Sequence, residues 1–267
     1  MIVIDFDTLE TLLVEQKDFA LYVTLNRPET RNAMNNKMVA ELTQVFTDIR
    51  DDRSIRAVIL SGADNTFCSG GDIKEMRNNP LPSADSANNL DAMLRAVNES
   101  SQVVIARIEG AALGGGFGLA CVSDIAIADE EAKFGLTEVR LGVAPSFISP
   151  FVLQRIGLTR ARELMLTGRR FNGKLAQDYG IVHEACSNSQ LDHFVEVDLD
   201  EIRQCAPEAI AAIKQLIFTV HGQALDDTVD YRANLLNTLR SGAEAQEGFQ
   251  AFIEKRSPNW VTGDNND

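Results

Sequence analysis

Phe67-Cys68-Ser69-Gly70-Gly71-Asp72-Ile73-Lys74 and Ala111-Ala112-Leu113-Gly114-Gly115-Gly116-Phe117-Gly118 each follow a short apolar run, and one glutamate stands downstream in Leu136-Thr137-Glu138-Val139-Arg140-Leu141-Gly142. Glycine after a strand lets backbone N–H groups approach a ligand closely. A glycine turn that opens a helix adds an N–H at the positive end of the helix dipole. Two such N–H groups converging on one carbonyl oxygen would stabilise an enolate. The carbon beside that carbonyl then exchanges protons readily, so a lone carboxylate above it suffices for acid–base chemistry. A single Gly-rich turn is better explained by close helix–sheet packing. Two turns and a glutamate together point to enolate chemistry on a carbonyl compound.

Outward from these turns, strands and helices alternate. Residues 19–25 alternate as a strand, Met38, Leu42, Val45, Phe46 and Ile49 share one helical face, and 57–60 form a short buried strand ending at Gly62. The unit recurs more loosely. Leu90, Met93, Leu94 and Val97 mark a second helix, Val103–Ile108 a second strand, and 124–128 a third after the Gly-rich turn. Between them, 78–89 is polar with two prolines and reads as a mobile loop placed to gate a pocket.

From Thr159 onward helices dominate. Thr159 is expected to cap a helix over 160–167 that ends at Gly168, and Gly180 to precede a short strand at 181–183. Three later helices are expected: one entered at Pro207, one over 228–240 and one over 243–255. Their apolar stripes (Ile210, Ile213 and Ile217; Leu235, Leu236 and Leu239; Phe249, Phe252 and Ile253) need a partner surface. The pattern predicts an α/β core over 1–205 and a C-terminal helical region over 206–267, with a frayed polar end at 262–267.

Composition narrows the function classes. The 267 residues suffice for a large core, and no apolar run approaches the ~20 residues of a membrane helix. Cys68, Cys121, Cys186 and Cys205 are widely spaced with no C-x-x-C pair, and the early Asp5 and Asp7 oppose a signal peptide. A reducing, cytoplasmic setting without structural zinc is expected. His183, His193 and His221 are too scattered for a metal site. A net charge of −14 opposes nucleic-acid binding. An anionic ligand would therefore need a local basic patch, for which Arg27, Arg31, Lys74 and Lys255 are the candidates.

The chain resembles the crotonase, or enoyl-CoA hydratase/isomerase, superfamily over nearly its whole length. The resemblance runs through Leu25-Asn26-Arg27-Pro28, Arg31-Asn32-Ala33-Met34, both glycine clusters and Cys121-Val122-Ser123-Asp124-Ile125-Ala126-Ile127-Ala128. It ends in Glu247-Gly248-Phe249-Gln250-Ala251-Phe252-Ile253-Glu254-Lys255-Arg256. It implies a spiral of ββα units whose C-terminal helices pack on neighbouring subunits, giving homotrimers or hexamers. The implied substrate is an acyl-CoA thioester, with coenzyme A as part of the substrate, no separate cofactor and no metal. Gly71 and Gly115 match the two positions whose N–H groups hold the thioester oxygen. Asp72, Ile73 and Lys74 continue the loop that lines the CoA and acyl site. Glu138 matches the glutamate that handles the α-proton, and Lys255 a lysine that reaches CoA in some members.

Two departures from the family pattern matter. Gly118 stands where the hydratases carry the first glutamate, the one that activates water. After Glu138, the chain has Arg140-Leu141-Gly142-Val143-Ala144-Pro145-Ser146-Phe147-Ile148-Ser149-Pro150-Phe151 instead of a glycine-rich stretch. With the Glu-Lys-Arg-x-Pro-x-Trp ending at Trp260, these features resemble the bacterial branch that hydrates 3-methylglutaconyl-CoA in leucine breakdown or isohexenylglutaconyl-CoA in acyclic terpene breakdown. In that reading Gly118 leaves room for bulk at the β-carbon, and Arg140 or Arg77 meets the substrate's own carboxylate. An enoyl-CoA isomerase using Glu138 alone is the alternative. A non-catalytic acyl-CoA or RNA-binding relative is opposed by the retained glutamate and the acidity.

Overall fold

The computed structural model describes residues 6, 8–78 and 84–262. The chain opens with strands β1 (Leu12–Lys17) and β2 (Ala20–Leu25), helix α1 (Asn36–Asp48) and strand β3 (Ala57–Gly62). Helices α2 (Ile73–Asn78) and α3 (Ala84–Asn98) precede strands β4 (Val103–Ile108) and β5 (Ala111–Leu113). Helix α4 (Gly115–Val122), strands β6 (Ile125–Asp129) and β7 (Lys133–Gly135), helices α5 (Ser149–Thr167) and α6 (Gly173–Asp178), and strand β8 (Glu184–Cys186) follow. The rest is helical: α7 (Leu191–Arg203), α8 (Pro207–Val220), α9 (Val229–Ser241), α10 (Ala243–Glu254) and α11 (Asn259–Thr262).

Six strands form one sheet in the order β1-β2-β3-β4-β6-β8, parallel except for the β1–β2 hairpin. Parallel neighbours need crossovers that cover the sheet faces, which is why strands and helices alternate in the chain. The period of two sorts each strand between two cores. Leu21, Val23, Val58, Leu60, Val104, Ala106, Ala126 and Ala128 join the apolar faces of α1, α3, α4 and α5. Ala20, Ala57, Ile59, Ile105 and Ile127 point the other way, onto Leu191, Val195, Leu199 and Ile202 of α7. α1 starts where Asn35 caps it by accepting a hydrogen bond from Met38 N. The result is an α/β fold built on one mostly parallel sheet.

Several expectations shift. The gating loop expected over 78–89 is helical from Ala84 onward, where alanines at 84 and 87 favour helix; 79–83 lie outside the described residues, as do 263–267 of the expected frayed end. Residues 149–167 run as two helical stretches that meet at Gly157, whose backbone (φ 69°, ψ 169°) is not helical, so the helix expected over 160–167 begins directly after that glycine, within two residues of Thr159, and ends at Gly168 as expected. The strand expected at 181–183 lies at Glu184–Cys186, where the hydrogen bond from His183 N to Ala126 O, at 2.7 Å, leads into its pairing with β6. α7 adds a helix to those expected, with Leu191, Val195, Leu199 and Ile202 on one helical face. Among the described residues, no helix is long and apolar enough to cross a membrane.

Candidate active site

A second, smaller ladder carries the site. β5 pairs with β7 in parallel, and an isolated bridge between Cys68 and Ala112 sets residues 67–71 beside β5. Cys68 N donates to Ala111 O at 2.8 Å, and Leu113 N donates to Cys68 O at 3.0 Å. A further bridge sets Met34 against Gly71. The two glycine turns and Glu138 therefore leave adjacent rungs of one ladder. That adjacency comes from pairing between distant segments, not from sequence proximity.

Gly114 shows why this turn needs glycine. Its backbone (φ 48°, ψ −113°) is one that residues with a side chain rarely adopt. A β-carbon there would also sit 3.1 Å from Glu138 Oε1 and 3.7 Å from Gly70 Cα. A β-carbon on Gly115 would lie 4.0 Å from the Gly70 carbonyl carbon. The turns thus touch each other, and the carboxyl group lies against them. Among the described residues, the N–H groups of Gly71 and Gly115 donate to no acceptor. Gly115 opens α4, so its N–H is one of the donors that a helix leaves unpaired.

Glu138 lies in a short 3-10 turn (Thr137–Leu141) closed by Gly142 in the left-handed region. Its Oε2 is buried and has no hydrogen-bond partner among the described residues. Burial raises its pKa above the ordinary carboxylate value, and the hydrogen bond from its own backbone N–H offsets this only in part. A desolvated carboxylate beside unpaired N–H donors makes Glu138 a candidate acid–base group.

A groove of about 760 Å³ opens beside the site, lined among others by Gly71, Leu113 and Thr137. Arg31, Lys74, Lys133, Arg140 and Arg170 line it too, and among the described residues none of the five forms an ion pair. In a chain of net charge −14, unpaired cations gathered in one groove form the local basic patch that an anionic ligand needs. Asp72, Ile73 and Lys74 also line it.

The groove corrects part of the sequence reading. Arg27 is not a free cation: its guanidinium donates to Asp72 Oδ2 at 3.0 Å and to Ala33 O at 2.6 Å. Asp72 Oδ1 in turn accepts from Lys74 N and Glu75 N, so this carboxylate ties its loop to the start of α2. Lys255 caps the end of α10 and does not line the groove of its own chain. Lys133 and Arg170 join the expected cations through long-range pairing, β5 with β7 and Phe134 with Phe171, which sequence spacing does not reveal.

Gly118 requires the largest correction. It lies buried in α4, and a β-carbon there would fall 2.3 Å from Ile148 Cγ2 and 3.0 Å from Ile148 Cβ. The space assigned to the acyl branch is filled by Ile148, itself 3% exposed. The absent side chain at Gly118 makes room for Ile148.

Unpaired N–H groups on two glycine turns, a desolvated glutamate and a cationic groove agree with what the comparisons with known proteins return. The model of the enoyl-CoA hydratase/isomerase family matches residues 15–263. The chain belongs to this family. It is similar to a probable enoyl-CoA hydratase of Mycobacterium tuberculosis, at 34% identity over 95% of this chain and 99% of that one. It is also similar to the (E)-benzylidenesuccinyl-CoA hydratase of Thauera aromatica, at 32% identity over 92% of this chain and 96% of that one. Among solved structures, Pseudomonas aeruginosa AtuE superposes with a TM-score of 0.91 at 45% identity, covering 94% of this chain and all of that one. The protein is an enzyme of the crotonase superfamily.

Proposed function

We propose that the protein hydrates a branched, 3-substituted glutaconyl-CoA thioester, of the 3-methylglutaconyl or isohexenylglutaconyl type. The observation that carries this reading is the orphaned Glu138 Oε2 beside the unpaired N–H groups of Gly71 and Gly115. In the mechanism that fits, these N–H groups receive the thioester oxygen. Ionised Glu138 takes a proton from water as the hydroxyl oxygen bonds to C3, and the electron pair of the double bond moves onto the thioester as an enolate. Glu138 then gives that proton to C2, the carbonyl reforms and the carboxylate is restored. One carboxylate serves both steps, and its raised pKa suits it to hold the proton between them.

The groove cations would meet the CoA phosphates, and Arg140, two residues from Glu138, the substrate's own carboxylate. The name of the Thauera relative supports the carboxylate, since a benzylidenesuccinyl group carries one beside its thioester. The exposed faces of the C-terminal helices, with Ile213, Ile217, Leu236, Phe249, Phe252 and Ile253, would pack on further copies in a trimer or hexamer, where Lys255 would reach a neighbour's CoA. Double-bond isomerisation is the second reading, favoured by the filled position at Gly118, because that reaction needs no water-activating base.

Incubation with 3-methylglutaconyl-CoA, isohexenylglutaconyl-CoA, crotonyl-CoA and a 3-enoyl-CoA, followed by product identification, separates these readings. The expected product is the 3-hydroxy acid thioester of a glutaconyl ester. A shifted double bond without added water would establish the isomerase, and fast turnover of crotonyl-CoA alone would overturn the substrate class.

A further inference from the structure

Met34 touches both proposed oxyanion donors, although nothing in its chemistry marks it for catalysis. Its backbone brackets Gly71: Met34 N donates to Gly70 O and Asp72 N donates to Met34 O, both at 2.8 Å. Its side chain reaches the other turn, where a β-carbon on Gly115 would lie 2.3 Å from Met34 Cε and 3.8 Å from Sδ. The residue is 7% exposed, so its thioether can move aside only against packed neighbours rather than into solvent.

The segment that delivers Met34 is itself tightly held. Ser69 N donates to Arg31 O at 3.1 Å and Ser69 Oγ to Thr30 O at 3.1 Å, so residues 30–34 run along the first glycine loop. Arg31 and Asn32 both take left-handed backbone conformations, at φ 54° and 55°. Two consecutive residues of this kind persist only where the surroundings over-determine them. Here Asn32 does so, with its Oδ1 accepting from Arg27 N and its Nδ2 donating to Ala63 O and Thr66 O.

Gly115, unlike Gly114, has no positive φ, so its backbone tolerates a side chain. The closest obstacle to a β-carbon is the Met34 methyl group. We infer that Met34 is a positioning residue that sets the separation of the Gly71 and Gly115 N–H groups, acting as a fixed spacer between the two turns. The inference rests on the oxyanion reading of those glycines. Its effect belongs on carbonyl polarisation and turnover rather than on CoA affinity, because the Met34 side chain reaches Gly115, and neither residue lines the cationic groove. Misplacement of reacting groups by about 1 Å can cost on the order of 100-fold in rate.

The test follows a thioester labelled with ¹³C at its carbonyl, read by difference infrared spectroscopy, alongside kinetics and the affinity for an S-alkyl-CoA thioether that lacks the carbonyl. In the wild type the bound carbonyl stretch shifts to lower frequency; no shift would overturn the oxyanion reading itself. In Met34→Ala the shift shrinks and kcat falls roughly 10- to 100-fold, while thioether affinity stays within about threefold. Met34→Leu, which refills the volume, stays near the wild type. A full wild-type shift and rate in Met34→Ala would overturn the spacer role while leaving the oxyanion reading intact.

A reciprocal pair guards against a Met34→Ala protein that fails to fold. Gly115→Ala drives its methyl into Met34 Cε and loses the shift. Combining it with Met34→Leu leaves the defect, since bulk remains, whereas combining it with Met34→Ala restores part of the shift and rate. A fully active Gly115→Ala single variant would sink the inference.

Discussion

Two glutamates are drawn into this protein by different elements, and they are treated oppositely. Glu41, on α1 under the start of β1, is 3% exposed. Its carboxylate accepts from Glu10 N and Thr11 N at 2.9 Å and from the Thr11 hydroxyl at 2.5 Å, with Lys37 Nζ at 3.4 Å. Burial pushes its pKa up, but those hydrogen bonds together outweigh burial and the net shift is down. Glu138, in the cleft, has burial without such partners, and its pKa goes up. A buried carboxylate surrounded by donors serves structure; one left short of donors is available for chemistry.

The severest way to break this contrast is to add a third buried carboxylate at the position where the hydratases carry one. Gly118→Glu would place an ionisable side chain against Ile148 with no donor arranged to receive it, unlike Glu41. Overpacking and an uncompensated charge are expected to cost about 4 kcal/mol or more, so that little folded protein survives. Denaturant unfolding is the measurement. A stable variant that hydrates crotonyl-CoA quickly would show that Ile148 yields and that Gly118 is the sole barrier to two-glutamate catalysis.

Glu138→Gln tests the other arm. The fold and thioether-CoA affinity should persist while kcat falls about 100-fold or more, the usual scale for a general acid–base group. The wild-type kcat/KM should fall on the acid side with a midpoint above the ordinary glutamate range, since protonation removes the base; that limb should vanish in the variant. Near wild-type turnover in Glu138→Gln would remove the residue from the mechanism.

Glu41→Gln should show the mirror image. Its amide can accept from only some of the donors and turns an N–H₂ toward the rest, an expected loss of roughly 2 kcal/mol of stability. Turnover by the folded fraction should not change. A kcat change at unchanged stability would contradict the structural role of this glutamate.

The same contrast explains what could be read before folding. The glycine turns were legible because their spacing after apolar strands reflects local backbone demands, and Glu138 because a lone glutamate recurs at that offset in a familiar pattern. The helices around Met38, Leu42 and Val45 or at Pro207 were legible because their periodicity and caps are local. Ile148 was not: it is one apolar residue among many until α5 carries it onto Gly118. Nor were the fates of the arginines. Arg27 and Arg31 look alike in sequence, and only the approach of Asp72 removes one of them from the groove. Long-range pairing decided these, and composition carries no trace of it.

The smallest effect is also the sharpest on the comparison, because it concerns stability where the substrate plays no part. Glu138 has its pKa raised by folding, so it favours the folded state most when protonated. Its contribution is fully present below the pKa of the unfolded chain and is lost as pH rises through the higher folded value. Glu138→Gln, always neutral, should therefore melt slightly above the wild type at neutral pH, and this advantage should fade as the solution is acidified through that window. Glu41 has the opposite sign: its contribution is present above the unfolded pKa and is lost as pH falls through its lowered folded value. The penalty of Glu41→Gln should thus shrink in acid. Thermal melts of the three proteins from neutral pH into the acid range measure both slopes. If Glu138→Gln instead melted below the wild type at neutral pH, the cleft carboxylate would have a stabilising partner, and the distinction between the two glutamates would fail.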